Sequence, residues 1–209
     1  MTIALVMGAL YGLRYVLPHK PLPLSGHAVD PDLHFTNSRS YFKEKDYSRG
    51  LEHLIKAIND IRTIEEELDP ESAALLEESI ADLEIVKREL EHDSLVIEDV
   101  NISYSEALNA LTEAEIKMTQ ALLRSDHRDD AMVALKYGMV HLKNTLTFTQ
   151  GEKKASEIRI HDEINDILND EDLTDDEIEE RLAHIILELD SLLEDNLHSD
   201  LRETSTTEE

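Results

Sequence analysis

The stretch SYSEALNALTEAEIKMTQAL, Ser103–Leu122, decides the fold class. SYSE has capping-box spacing, in which Ser103 and Glu106 each satisfy the other's otherwise unpaired backbone N–H. Tyr104, Leu108, Leu111, Met118 and Leu122 then recur at three and four, the period that gathers side chains on one helical face. A long amphipathic helix starting at Ser103 is the prediction.

The same period extends in both directions. Leu51, Leu54, Ile55, Ile58 and Ile61 predict a helix over roughly 46–67. LDPES opens the next, with Asp69 placed to cap, Pro70 at the first helical position, and Leu76, Ile80, Leu83, Val86 and Leu90 as its stripe to about Asp93. Beyond the quoted stretch a fourth helix runs from Asp126 or His127 to Phe148. It is apolar over much of its circumference, so it is expected to be the most buried. TQGE breaks it. A further helix carries Ile158, Ile164 and Ile167, and Thr174 with Glu177 forms a second capping box for a last helix from Asp175. The stripe of that helix, Ile178, Leu182, Ile185, Leu189 and Leu192, keeps heptad spacing suited to docking on the bundle or to pairing with another helix.

Composition agrees with this reading. Aromatics make up 4% of the 209 residues, Trp and Cys are absent, and aliphatic and acidic residues dominate. Such material suits packed helices and excludes disulfides, thiolate nucleophiles and Cys-ligated metals. The fold class expected is all-α: an antiparallel four-helix bundle with an extra acidic C-terminal helix and an N-terminal apolar helix. An internal echo fits a duplicated hairpin. YFKEKDYSRGLEHLIKAINDI and LLRSDHRDDAMVALKYGMVHL align at an offset of 81, pairing Leu54 with Leu135, Ala57 with Gly138 and Ile61 with Leu142. The first copy locally resembles a tetratricopeptide helix pair, but no copy recurs at that family's spacing of about 34 residues.

Four of the five prolines fall within the first 31 residues. The domain boundaries follow: an apolar helix over 1–17, a Pro- and His-containing linker over 18–35, the bundle with its acidic helices over 36–200, and a disordered tail over 201–209. MTIALVMGALYGLRYVL (1–17) is expected to be a single-pass membrane anchor. As a helix from Thr2 to Leu17 it spans about 24 Å against a hydrocarbon core of about 30 Å, a shortfall that bilayer thinning accommodates. Ala4, Gly8 and Gly12 line one face and favour close approach of another transmembrane helix, from another membrane protein or a second copy. Nothing basic lies upstream, whereas Arg14, Lys20, Arg39, Lys43, Lys45 and Arg49 lie downstream, which places the body on the cytoplasmic side. The alternative is a signal peptide cut near Ala28, leaving an exported protein.

The net charge of -27 repels nucleic acid. Glu152–Glu209 alone carries 21 acidic and 5 basic residues, so a basic protein or cations are the partners that region would attract. Two charges lie on apolar stripes: Lys87, between Leu83 and Leu90, and Glu115, between Leu111 and Met118. Buried charges need partners, and these two are candidates for each other, with His53 and His141 as alternatives for Glu115. There is no HExxH, no EF-hand loop and only one ExxH, Glu89 to His92, so no metal or cofactor is expected. No nucleophile elbow or phosphate-cradling loop is present. The expected function is therefore a noncatalytic interaction or accessory subunit, and the alternative is a metal- or cofactor-binding bundle built on Glu115 and nearby histidines.

Overall fold

The computed structural model describes residues 28–91 and 95–203, and side chains to Leu192. Seven helices and no strand occur among them: α1 (Asp30–Lys43), α2 (Tyr47–Glu65), α3 (Pro70–Glu91), α4 (Ile97–Leu123), α5 (Arg128–Thr145), α6 (Gly151–Asn169) and α7 (Asp175–Glu203). The chain is an all-α bundle. No described helix is long and apolar enough to cross a membrane. Residues 1–27, including Ala4, Gly8 and Gly12, lie outside the described residues.

Four-helix packing occurs twice, around one shared helix. α1 packs on α2, α2 on α3, α3 on α4 and α4 back on α1, closing a ring; α4, α5, α6 and α7 close a second ring in the same way. Each ring has its own apolar core. The first takes Phe35, Leu54, Leu83 and, from α4, Tyr104, Leu108 and Leu111. The second takes Ile116 and Leu122 of α4 with Leu135, Ile164, Leu182 and Leu189. Because α4 serves both cores it is covered on opposite sides, and 17 of its residues are buried against seven of α5. The expectation that 126–148 would be the most buried helix therefore gives way: apolar circumference marks burial less well than membership of two cores.

α4 also starts earlier than the capping box suggests. Its N-cap is Val96, without a side-chain cap, and Ser103 lies within the helix. The other two helix-start readings agree with the structure. Asp69 Oδ1 accepts from the N–H groups of Glu71 (3.0 Å) and Ser72 (3.2 Å). Glu177 Oε2 accepts from Thr174 N (2.9 Å), and Thr174 Oγ1 accepts from Glu177 N (3.3 Å). The stripe of α7 is used internally, with Ile178, Leu182, Ile185 and Leu189 all buried. In α6 the buried stripe is Ile160, Ile164 and Ile167, and Ile158 is exposed.

The echo at offset 81 is a repeated turn. Lys45 and its counterpart Asp126 both take left-handed φ, 63° and 58°. Lys45 N bonds to Phe42 O and Asp46 N to Tyr41 O, and the equivalent bonds run from Asp126 N to Leu123 O and from His127 N to Leu122 O. These reverse-turn bonds satisfy the last carbonyls of α1 and α4, which reproduces the same hairpin at the corner of each ring. Close helix approach follows in both copies. Gly50 faces the Phe42 ring, where an added Cβ would lie 2.2 Å from ring carbons, and Gly138 would place one 3.3 Å from the Cβ of Glu115.

Part of the stretch read as linker is helical. α1 begins at Asp30 with Pro31 in its first turn, and Pro31, Asp32 and Phe35 are buried. This helix, rather than 126–148, completes the first ring.

Candidate functional site

Between the two cores α4 turns polar. Asn109, Thr112, Glu113 and Glu115 are all buried there, and the facing helices add Asp32, His141, Thr145 and Glu157. This seam collects most of the buried groups capable of proton chemistry.

One part of it is a hydrogen-bonded triad of unlike side chains. His141 Nδ1 donates to Asp32 Oδ2 at 2.7 Å, and Asn144 Nδ2 donates to Asp32 Oδ1 at 2.8 Å. The carboxylate orients the ring through Nδ1 and turns Nε2 away from it. That nitrogen is buried and has no hydrogen-bond partner within the described residues. A second group spans α4 and α6: Asn109 Nδ2 donates to Glu157 Oε1 at 3.3 Å, and Thr149 Oγ1 donates to Glu157 Oε2. Burial raises the Glu157 carboxyl above its ordinary range, against the pull of its donors and of Lys153 and Lys154. Burial conversely lowers Lys153, whose Nζ donates to Ser105 Oγ at 3.1 Å.

Glu115 is the most perturbed acid of the seam. It is fully buried at the crossing of α4 with α5, against Gly138, and neither carboxyl oxygen has a hydrogen-bond partner within the described residues. Desolvation alone pushes its carboxyl up to about 8. At neutral pH the uncharged form is therefore favoured.

The structure does not bring together the pairs suggested for Glu115. Lys87 is half-buried and donates to Glu84 Oε2 at 2.8 Å, with Arg62 on the other oxygen at 3.0 Å. His53 meets His34 between α1 and α2, Nδ1 to Nδ1 at 3.0 Å. His141 is engaged with Asp32. Among the described residues no three His, Asp or Glu side chains group as they would to hold a metal ion. Met118, Met132 and Met139 pack against the second core.

The sequence reading does not single out Asp32, Asn109 or Glu157 as site residues. A signal for Asp32 did exist: DPDL at 30–33 repeats the Asp-Pro opening of DPES at 69–72, and Pro inside the first turn marks a helix start in both places. Asn109 and Glu157 carry no such signal, because their pairing spans 48 positions.

No family model matches the chain, and the searches of curated proteins and of solved structures gave no match either.

Proposed function

We propose that this chain is a noncatalytic helical-bundle subunit that binds other proteins, held at a membrane by residues 1–17 with the bundle on the cytoplasmic side. The observation that carries this reading is the internal use of the bundle's own stripes. The heptad stripe of α7 docks in the second core, and α1 completes the first. Association is then left to the apolar segment that precedes the body and to the exposed acidic face. The sequence from 18 to 27, with Pro18, Pro21 and Pro23, serves as a spacer between anchor and bundle. Ala4, Gly8 and Gly12 form the close-approach face of the anchor, and the acidic 152–209 region favours a basic partner surface over nucleic acid.

The test is cross-linking and mild-detergent purification of the full chain, with Ala4→Leu, Gly8→Leu and Gly12→Leu as variants. The reading expects a homo-oligomer or a stoichiometric second polypeptide that the variants lose. A monomer without partners, or association unchanged in all three variants, counts against the anchor as the contact. A mature N-terminus near Ala28 would make the chain an exported protein instead.

A further inference from the structure

The His34–His53 contact belongs neither to the seam nor to the proposed function. His34 Nδ1 and His53 Nδ1 lie 3.0 Å apart, and the ring centroids are 5.2 Å apart, little less than a head-on approach would give. Two nitrogens meeting in line share a proton. A tetrahedral metal ion would hold both nitrogens at about 2.0 Å and about 3.3 Å from each other, with the rings bent toward the ion and not head-on. On the far side of His34, Nε2 faces Asp60 Oδ2 at 3.6 Å. A row Asp60–His34–His53 thus crosses from α2 to α1 and back. Tyr41 of α1 stacks on His53 at 5.5 Å, with the Arg49 guanidinium over the Tyr41 ring, and Glu52 and Lys56 of α2 are the charged neighbours of His53.

We propose that this row is an acid-operated latch between α1 and α2, closed while at least one imidazole is neutral and opened when both are protonated. One added proton is tolerated, because an imidazolium at His34 would lie between the Asp60 carboxylate and the lone pair of neutral His53. A second proton leaves two N–H donors and two positive charges facing each other at hydrogen-bond distance. Burial, then the charge of His34 and then Lys56 lower the His53 imidazole, while Glu52 works the other way. A base lowered in the folded state contributes no penalty above its unfolded value of about 6.5 and loses stability as pH falls below it. Opening removes one of the contacts that hold the helix directly after the proline-rich sequence, the core contacts of Phe35 and Phe42 remaining, so acid would weaken its attachment to α2. This inference does not depend on the proposed function.

The experiment is hydrogen exchange on the full chain between about pH 6.5 and pH 5, above the carboxylate range, with imidazole NMR in parallel. After correction for intrinsic exchange, α1 amides should open about ten-fold more readily per pH unit once the second proton binds. The His53 ring should titrate below an ordinary histidine, and His34→Gln should reduce that displacement. His53→Gln stays neutral and should abolish the acid response, as should His34→Gln independently, while His161→Gln on α6 should leave it intact. A flat α1 response in the wild type, a His53 titration that His34→Gln leaves unmoved, or an undiminished response in His53→Gln would overturn the latch.

Discussion

Asp32 and His141 stand 109 positions apart and form a buried 2.7 Å hydrogen-bonded pair, which ties the first helix of one ring to α5 of the other. The pair is shielded from water, so breaking it leaves a charged or polar group unmatched in the interior. Asp32→Ala, which also strands Asn144, should cost about 3–5 kcal/mol in urea denaturation, against less than 1 kcal/mol for a surface pair. The double variant Asp32→Ala, His141→Leu should recover part of that loss, because it removes the orphan as well as the pair.

Glu115 sets a pH dependence of the opposite kind to acid denaturation. Its carboxyl is raised to about 8 in the folded chain, so the folded state holds the proton more tightly than the unfolded one. The contribution is fully favourable below the unfolded value of about 4.3 and is lost as pH rises towards 8, at roughly 1.4 kcal/mol per unit. Glu115→Gln, neutral at every pH, should remove that slope. The difference between wild type and variant should widen steadily from pH 5 to pH 8 in denaturant titrations.

The two close-approach glycines should answer differently to the same change. Alanine gains about 1 kcal/mol of helix propensity over glycine at an interior position. At Gly50 the added carbon would strike the buried Phe42 ring at 2.2 Å, so overpacking by about 1–3 kcal/mol outweighs the gain and Gly50→Ala should lower the melting temperature. At Gly138 the nearest atoms are 3.3 and 3.4 Å away, and Gly138→Ala should be close to neutral.

The repeated hairpin corner offers a stabilising change. Lys45 and Asp126 hold left-handed backbone, a conformation that costs a non-glycine residue about 1–2 kcal/mol. Lys45→Gly and Asp126→Gly should each raise the unfolding free energy by up to about 1 kcal/mol in denaturant titrations, since glycine's greater unfolded entropy offsets part of the relief. Equal responses at both corners would mark the two turns as energetically equivalent.

Local signals were legible in the sequence and distant ones were not. The caps at Asp69 and Thr174 and the stripes of α3 and α7 depend on residues within a few turns of one another; of the α2 stripe Leu54, Ile58 and Ile61 are buried, whereas Ile55 is exposed. Pro31, four residues before Phe35, extends the linker reading to 35, so the linker appeared longer than it is and the first half of α1 was missing from the first ring. Glu115 was recognisable as a core-side charge because its stripe neighbours enclose it. Its partners were not recognisable, since the helices that face it are placed by two cores whose division of α4 between Leu111 and Ile116 leaves no mark on the apolar period.

The central claim, a bundle tethered to a membrane by residues 1–17, is tested most directly by fractionating cells that express the full chain and applying protease to sealed vesicles from each side. The account predicts full-length protein in the membrane fraction, resistant to carbonate extraction, with the bundle cleaved only from the cytoplasmic face. Full-length protein recovered in the soluble fraction would contradict it.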